Sequence, residues 1–184
     1  NKIPVVLQAG EQVATGLIGG AAKFTAPSQL TAQNTGPLRW AAATGGTLNF
    51  WLKTPVGSQG RVVSFGSGAE ALRLDIADTT LNLQAGATKL VGANALAADQ
   101  WQLVSIVLNA GQLQLMVNGK SIGQGAFAGE ISGNLVFGQD SGASSFTGEL
   151  DDVSFYTKAQ AASFIEFLAK NQGMNDAYLK TAPT

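Results

Sequence analysis

The sequence predicts an all-β chain: a two-sheet antiparallel sandwich with one helix near the C-terminus. Three observations lead there. Short stretches alternate apolar and polar residues with period two, glycine-rich turn signals fall between them, and one late segment changes to a helical period. Thr47-Leu48-Asn49-Phe50-Trp51-Leu52-Lys53 is the first clear alternating stretch. Arg61–Phe65 follows, bounded by Gly57-Ser58-Gln59-Gly60 and Gly66-Ser67-Gly68. Ala71–Ile76 sets Leu72, Leu74 and Ile76 on one face and Arg73 and Asp75 on the other, which reads as solvent-facing charge. Thr80–Gln84 repeats the pattern. Trp101–Leu108 is continuously apolar and predicts a central strand buried on both faces. Asn109-Ala110-Gly111 separates it from Gln112–Val117, and Asn118-Gly119 then predicts a tight hairpin into Ser121-Ile122. Ser141–Ser145 reads as a loop. At this spacing the chain holds roughly ten to twelve strands. From Lys158 to Asn171, Ala161, Phe164, Ile165 and Leu168 follow the i, i+3, i+4, i+7 pattern of a helix face. Thr157 is the expected N-cap and Gly173 the expected stop. The helix is expected to pack Phe164, Ile165 and Leu168 on the sandwich, so that Phe164→Asp costs several kcal/mol. The domain is therefore placed at 1–173, with 174–184 as a tail or linker.

Composition narrows the chemistry more than it narrows the fold. The 184 residues are 45% hydrophobic and only 12% charged, with a net charge of −1, which excludes a strongly basic nucleic-acid or polybasic membrane binder. There is no His and no Cys. That excludes Ser-His-Asp and Cys-His catalysis, His/Cys zinc sites, His- or Cys-ligated haem, iron–sulfur clusters and disulfides. No run of 18 apolar residues exists, so no segment here is expected to insert in a membrane as a helix. The chain opens on Asn1 rather than Met, which predicts an excised fragment or processed product. Gly16-Leu17-Ile18-Gly19-Gly20 lacks the Lys-Ser/Thr that would complete a phosphate loop.

Five segments, in order, resemble the laminin-G-like module of the concanavalin A-like lectin/glucanase superfamily. They are Gly20–Phe24, Gly46–Lys53 with its Trp-aliphatic-Lys ending, Trp101–Val104, Leu115–Gly119, and Phe146-Thr147-Gly148-Glu149-Leu150-Asp151-Asp152-Val153. The resemblance covers residues 20–170 and implies a concanavalin A-like jelly roll. Gly148–Asp151, the helix and Asn171-Gln172-Gly173 also resemble modules of large bacterial envelope proteins, some of which accompany a proton channel of the biopolymer-transport type. What this implies is a non-catalytic binding or scaffolding module, periplasmic or extracellular, within a larger membrane-associated protein. Its partner would be a protein or a glycan. The alternative is a lectin module or the remnant of a glycoside hydrolase of the same fold.

The residues that could carry chemistry are few. Glucanases of this fold align carboxylates along one strand as Glu-x-Asp-x-(x)-Glu. Here Glu149 and Asp151 share a face, but Val153 and Ser154 stand where the third carboxylate belongs, and Asp152 has the opposite parity. Retaining hydrolysis needs a carboxyl on each side of the scissile bond, which two residues at i and i+2 do not provide. No catalytic residue is therefore assigned. Asp151 is expected to bind a neighbouring loop's backbone and Glu149 to be solvated. Calcium is the one metal the resemblance raises, with Asp140 and Asp78 in loops as candidate ligands, although both serve equally as turn residues. Otherwise no cofactor is expected. Trp40, before a loop, is the candidate aromatic for a sugar platform, with core packing as its competing role, while Trp51 and Trp101 read as core.

Overall fold

The computed structural model describes residues 5–8, 11–13, 15–25, 27–32, 38–139, 142 and 144–181, with the side chains of 13, 15–25, 27–32, 38–139, 142 and 144–171. In chain order the strands are β1 (Val5–Gln8), β2 (Glu11–Val13), β3 (Ala21–Phe24), β4 (Gln29–Ala32), β5 (Leu38–Ala41), β6 (Gly46–Lys53), β7 (Gln59–Phe65) and β8 (Leu72–Ala77). There follow β9 (Thr80–Ala85), β10 (Thr88–Gly92), β11 (Gln102–Asn109), β12 (Gln112–Val117), β13 (Lys120–Ala126), β14 (Glu130–Gly133), β15 (Leu135–Gly138) and β16 (Gly148–Tyr156), then α1 (Ala162–Thr181). The first sheet runs β1-β4-β15-β7-β8-β9-β10 and the second β13-β12-β11-β6-β16-β3-β2, with β14-β5 as a small pair beside them. The fold is the two-sheet antiparallel sandwich that the alternation predicts, carrying more strands than the pattern reveals. The extra strands are mostly three or four residues long, as in β2, β4, β5 and β14, too short for an alternation to register.

Parity decides what faces inward. Leu48, Phe50 and Leu52 of β6 and Val104, Ile106 and Leu108 of β11 meet Leu72, Leu74, Ile76, Leu81 and Leu83 of the first sheet in one core. Each such side chain contributes about 1.5–3 kcal/mol on burial. Asn118 and Gly119 take φ of 50° and 78°, the left-handed pair a two-residue hairpin needs, and turn β12 into β13 as predicted, with Val117 opposite Lys120. Arg61 pairs opposite Asp75 across β7 and β8, its Nε 2.5 Å from the carboxylate, so Asp75 serves an ion pair as well as solubility.

The outward side chains of the second sheet form a smaller cluster: Trp51, Leu103, Val107 and Met116, closed over by Ile165 of α1. This cover is why β11 is buried on both faces, as its apolar run predicts. The helix itself departs from expectation. Thr47 Oγ donates to the Lys158 carbonyl (3.2 Å) and accepts from the Gln160 N–H (2.9 Å), which pins 158–160 as a strap and delays the helix to Ala162. Gly173 does not end it, because one internal glycine costs only about 1 kcal/mol. The packing face is also narrower than predicted. Ile165 is fully buried and Leu168 packs half-buried against the same cluster, as predicted, but Phe164 is 37% and Phe167 54% exposed. Phe164 leans edge-on toward Tyr156 at 6.4 Å rather than entering the core. Phe164→Asp is therefore expected to change stability by less than about 1 kcal/mol, which a thermal melt checks.

On the outward face of the second sheet, Asn49 and Ser105 lie opposite each other in register, and both amide atoms of Asn49 and the Ser105 hydroxyl are buried without a hydrogen-bond partner. Each such atom costs about 1–3 kcal/mol, comparable to what burying the Ile165 anchor contributes. No described helix is long and apolar enough to cross a membrane.

Candidate functional site

The most specific sequence motif, Gly148–Val153, lies on β16, between β3 and β6. Glu149 pairs with Lys23 on one side and Lys53 on the other, and Asp151 pairs with Trp51. The register then slips between Asp151 and Ser154, so one extra residue bulges and Ser154 takes the next place on the outward face, opposite Asn49. No third carboxylate continues the row. Asp151 is 6% exposed; its Oδ2 accepts the Ile18 N–H (2.8 Å) and its Oδ1 the Asp152 N–H (2.8 Å). It ties the loop before β3 to the bulge. Glu149 is not simply solvated as expected: its carboxylate stands 2.9 Å from Lys53 Nζ, with about a quarter of each side chain exposed.

Asp152 occupies the bulge at φ 43°. Desolvation of its carboxyl, then repulsion from Asp151, holds it above the ordinary carboxylate range. A raised native pKa means the folded state binds the proton more readily, so this group's contribution to stability falls as pH rises past the ordinary value. Asp152→Asn suits the same backbone and removes that penalty. It is expected to raise Tm at pH 7, with the difference from wild type closing by about pH 3. Melts across that range check this.

Where β3, β6 and β16 present the Lys23–Glu149–Lys53 row, a pocket of about 170 Å³ opens, lined by those three residues with Phe24, Asp99 and Thr147. Lys53 Nζ also sits 5.2 Å above the ring centre of half-buried Trp101. Two ammonium groups, two carboxylates and a hydroxyl in the lining can offer charge-assisted hydrogen bonds in both directions. Such a lining suits a polyhydroxylated ligand better than an apolar one.

The sequence candidates fall elsewhere. Trp40 is fully buried: it stacks on Phe155 (5.3 Å), meets Phe65 edge-on (5.2 Å), and its indole N–H donates to the Tyr156 carbonyl (2.9 Å). Short β5 pairs with β14 and turns it inward, so it offers no sugar platform. Asp78 is a turn residue at φ 59°, its carboxylate accepting the Gly57 N–H at 2.7 Å. Asp140 lies outside the described residues. Among the described residues no three Asp or Glu gather closely enough to hold a cation, and calcium wants several oxygens at once, so the surroundings of Asp78 do not fit one. EDTA is expected to leave Tm unchanged, whereas a calcium site occupied at 100-fold excess over Kd would shift stability by about 2.7 kcal/mol.

Lys23, Lys53, Asp99 and Trp101 were not legible as a site. Lys53 and Glu149 are each outward-facing on their strands, a signal present in the alternation, but only the β6–β16 pairing places them side by side.

The chain belongs to the Laminin_G_3 family of the concanavalin A-like lectin/glucanases superfamily, whose model matches residues 19–166. The binding domain of Paraclostridial Mosquitocidal Protein 1 superposes with TM-score 0.74 at 14% identity, over 92% of this chain and 48% of that one. The receptor binding domain of botulinum neurotoxin C/D mosaic serotype gives 0.73 at 14%, over 92% and 46%. Domain 4 of AbnA, a GH43 extracellular arabinanase from Geobacillus stearothermophilus solved with arabinotriose, gives 0.67 at 14%, over 90% and 88%. This chain spans about half the length of the toxin binding domains it matches. No curated protein matches it in sequence.

Proposed function

We propose that this chain is a non-catalytic binding module that takes a glycan in the Lys23–Glu149–Lys53 pocket. The observation that carries the reading is the pocket itself, a concave mixed-charge lining on an otherwise weakly charged protein, with one of its lysines, Lys53, seated over a half-buried indole. The structural neighbours support it: two are binding domains of toxins, and a third was solved with arabinotriose. The carboxylates speak against hydrolysis. Glu149 is committed to Lys53 and Asp151 to two backbone N–H groups, and both project from one strand rather than across a bond. The same neighbours, toxin domains and an extracellular arabinanase, support an extracytoplasmic setting. We propose further that the module is part of a larger membrane-associated protein of a bacterial envelope, of the group that accompanies biopolymer-transport channels. Gly148–Asp151 followed by the helix supports this, and the surrounding reading frame tests it.

A glycan array on the purified chain tests the pocket. At least one glycan is expected to bind, with signal falling tenfold or more in Lys53→Ala and in Trp101→Ala, both checked for folding by near-ultraviolet circular dichroism. Full binding by both folded variants, or no glycan bound at all, overturns the reading.

A further inference from the structure

We infer that the free face of α1 is a self-association surface, on which a second copy of this chain docks through the same helix, parallel and in register. The evidence begins with where the apolar residues stand. Ile165, Leu168 and Ala169 pack on the cluster of the second sheet. Phe164 and Phe167 do not: both are exposed, and they stand about a third of a turn round the helix from that row. Half-buried Tyr156, at the end of β16, meets Phe164 edge-on and extends the patch. An exposed aromatic patch rimmed by polar residues marks an interaction surface rather than ordinary surface decoration. The rim here is Glu166 and Lys170, bonded to each other at 2.7 Å.

The pattern of the stripe selects the occupant. Phe164, Phe167, Asn171, Met174 and Tyr178 follow one another at spacings of three, four, three and four residues. The helix runs unbroken to Thr181, so these positions share one stripe. This is the a/d spacing by which two helices wind round each other, and it places a single Asn at an a position. Such an Asn pairs best with its own kind, which fixes a parallel, two-stranded, in-register arrangement. Asn171 spends one Nδ2 hydrogen on the Phe167 carbonyl (2.9 Å). Its second Nδ2 hydrogen and its Oδ1 can then bond the amide of its mate across a two-fold axis. Along the rest of the stripe each position meets its own copy, as a closed two-fold interface requires.

Charge favours the same occupant. With a net charge of −1, two copies barely repel each other. The stripe has no charged position between Phe164 and Tyr178, so none is desolvated when it closes on itself. An anionic lipid surface would call for a basic rim, whereas Lys170 is already matched by Glu166. Helix propensity points the same way. The second half of α1 contains Asn171, Gly173, Asn175 and Asp176, all weak helix formers, so its helicity draws on packing rather than on propensity. A paired helix supplies that packing. The stripe is short, which puts the association in the weak, transient class, and melts on dilute protein report the single copy.

The test is sedimentation equilibrium of the purified chain from about 5 to about 500 µM, a range that brackets a weak pair. A monomer–dimer equilibrium is expected, its Kd raised at least tenfold by Phe167→Asp or, should that variant not fold, by the milder Phe167→Ser. Orientation is read with cysteine, which the chain otherwise lacks. On oxidation Asn171→Cys is expected to give a disulfide-linked dimer, because equal a positions face each other in a parallel pair, while Glu166→Cys, away from the stripe, is not. A monomer at every concentration, an unchanged Kd in the Phe167 variants, or linkage through Glu166→Cys instead of Asn171→Cys overturns the inference. So does a monomer that co-sediments with vesicles of phosphatidylcholine and phosphatidylserine, which would make the patch a lipid-binding surface. None of these variants lies in the Lys23–Glu149–Lys53 pocket, so this inference and the pocket reading fail separately.

Discussion

Trp40→Ala is expected to destabilise the protein by about 3–5 kcal/mol, a drop in Tm of roughly 10 °C for a chain of this size. The indole is fully enclosed, and four losses coincide on its removal. The stacked contact with Phe155 and the edge contact with Phe65 vanish, and the Phe65–Phe155 pair (5.2 Å) loses the ring that braces it. The Tyr156 carbonyl loses the indole donor. The vacated volume has no easy filler on one side, because Gly46 abuts the ring there and its missing Cβ is what admits it. Trp40→Phe keeps most of the volume and loses the hydrogen bond, so it should recover more than half of the stability. Urea unfolding of the three proteins measures both steps. An exposed Trp40, the platform that the sequence left open, would instead give a loss near zero.

Asp151→Ala is expected to cost roughly 2–4 kcal/mol, because two N–H donors lose a charged acceptor and one end of the loop before β3 is released. Asp151→Asn should not rescue it fully, since one of its two side-chain positions becomes a donor facing a donor. Glu149→Ala, by contrast, removes a partly exposed pair with Lys53 and is expected to cost about 1 kcal/mol or less. The ordering matters more than the sizes. A remnant hydrolase site predicts two carboxylates free to do chemistry, whereas here the more buried one is structural and the more accessible one lines a pocket.

The alternation in β6, β8, β9 and β12 made the sandwich legible, because a half-buried strand writes its two faces directly into the chain. The hairpin at Asn118-Gly119 was legible for the same reason: its backbone demands those residues. Trp40 was ambiguous, since a residue before a loop can face either way and only the β5–β14 pairing settles it. Phe164 misled because a helical period shows which residues share a face without showing how much of that face a sheet can receive. The start of α1 depended on Thr47, more than a hundred residues earlier in the chain, bonding the strap at Lys158 and Gln160. The pocket was hidden in the same way. Lys23, Lys53 and Glu149 come from three distant strands, and only their register gathers them. Asp151 was the exception, because the missing third carboxylate, visible in the chain, already pointed to a structural role.

The most direct measurement is calorimetric titration of the purified chain with the best glycan from the array, followed by chromatography of the recovered ligand. Saturable binding at one site per chain is expected, weakened tenfold or more by Lys53→Ala and by Glu149→Ala, with the glycan recovered intact. Unchanged affinity in both variants would contradict the pocket, and new reducing ends that disappear in Glu149→Gln would contradict the non-catalytic reading.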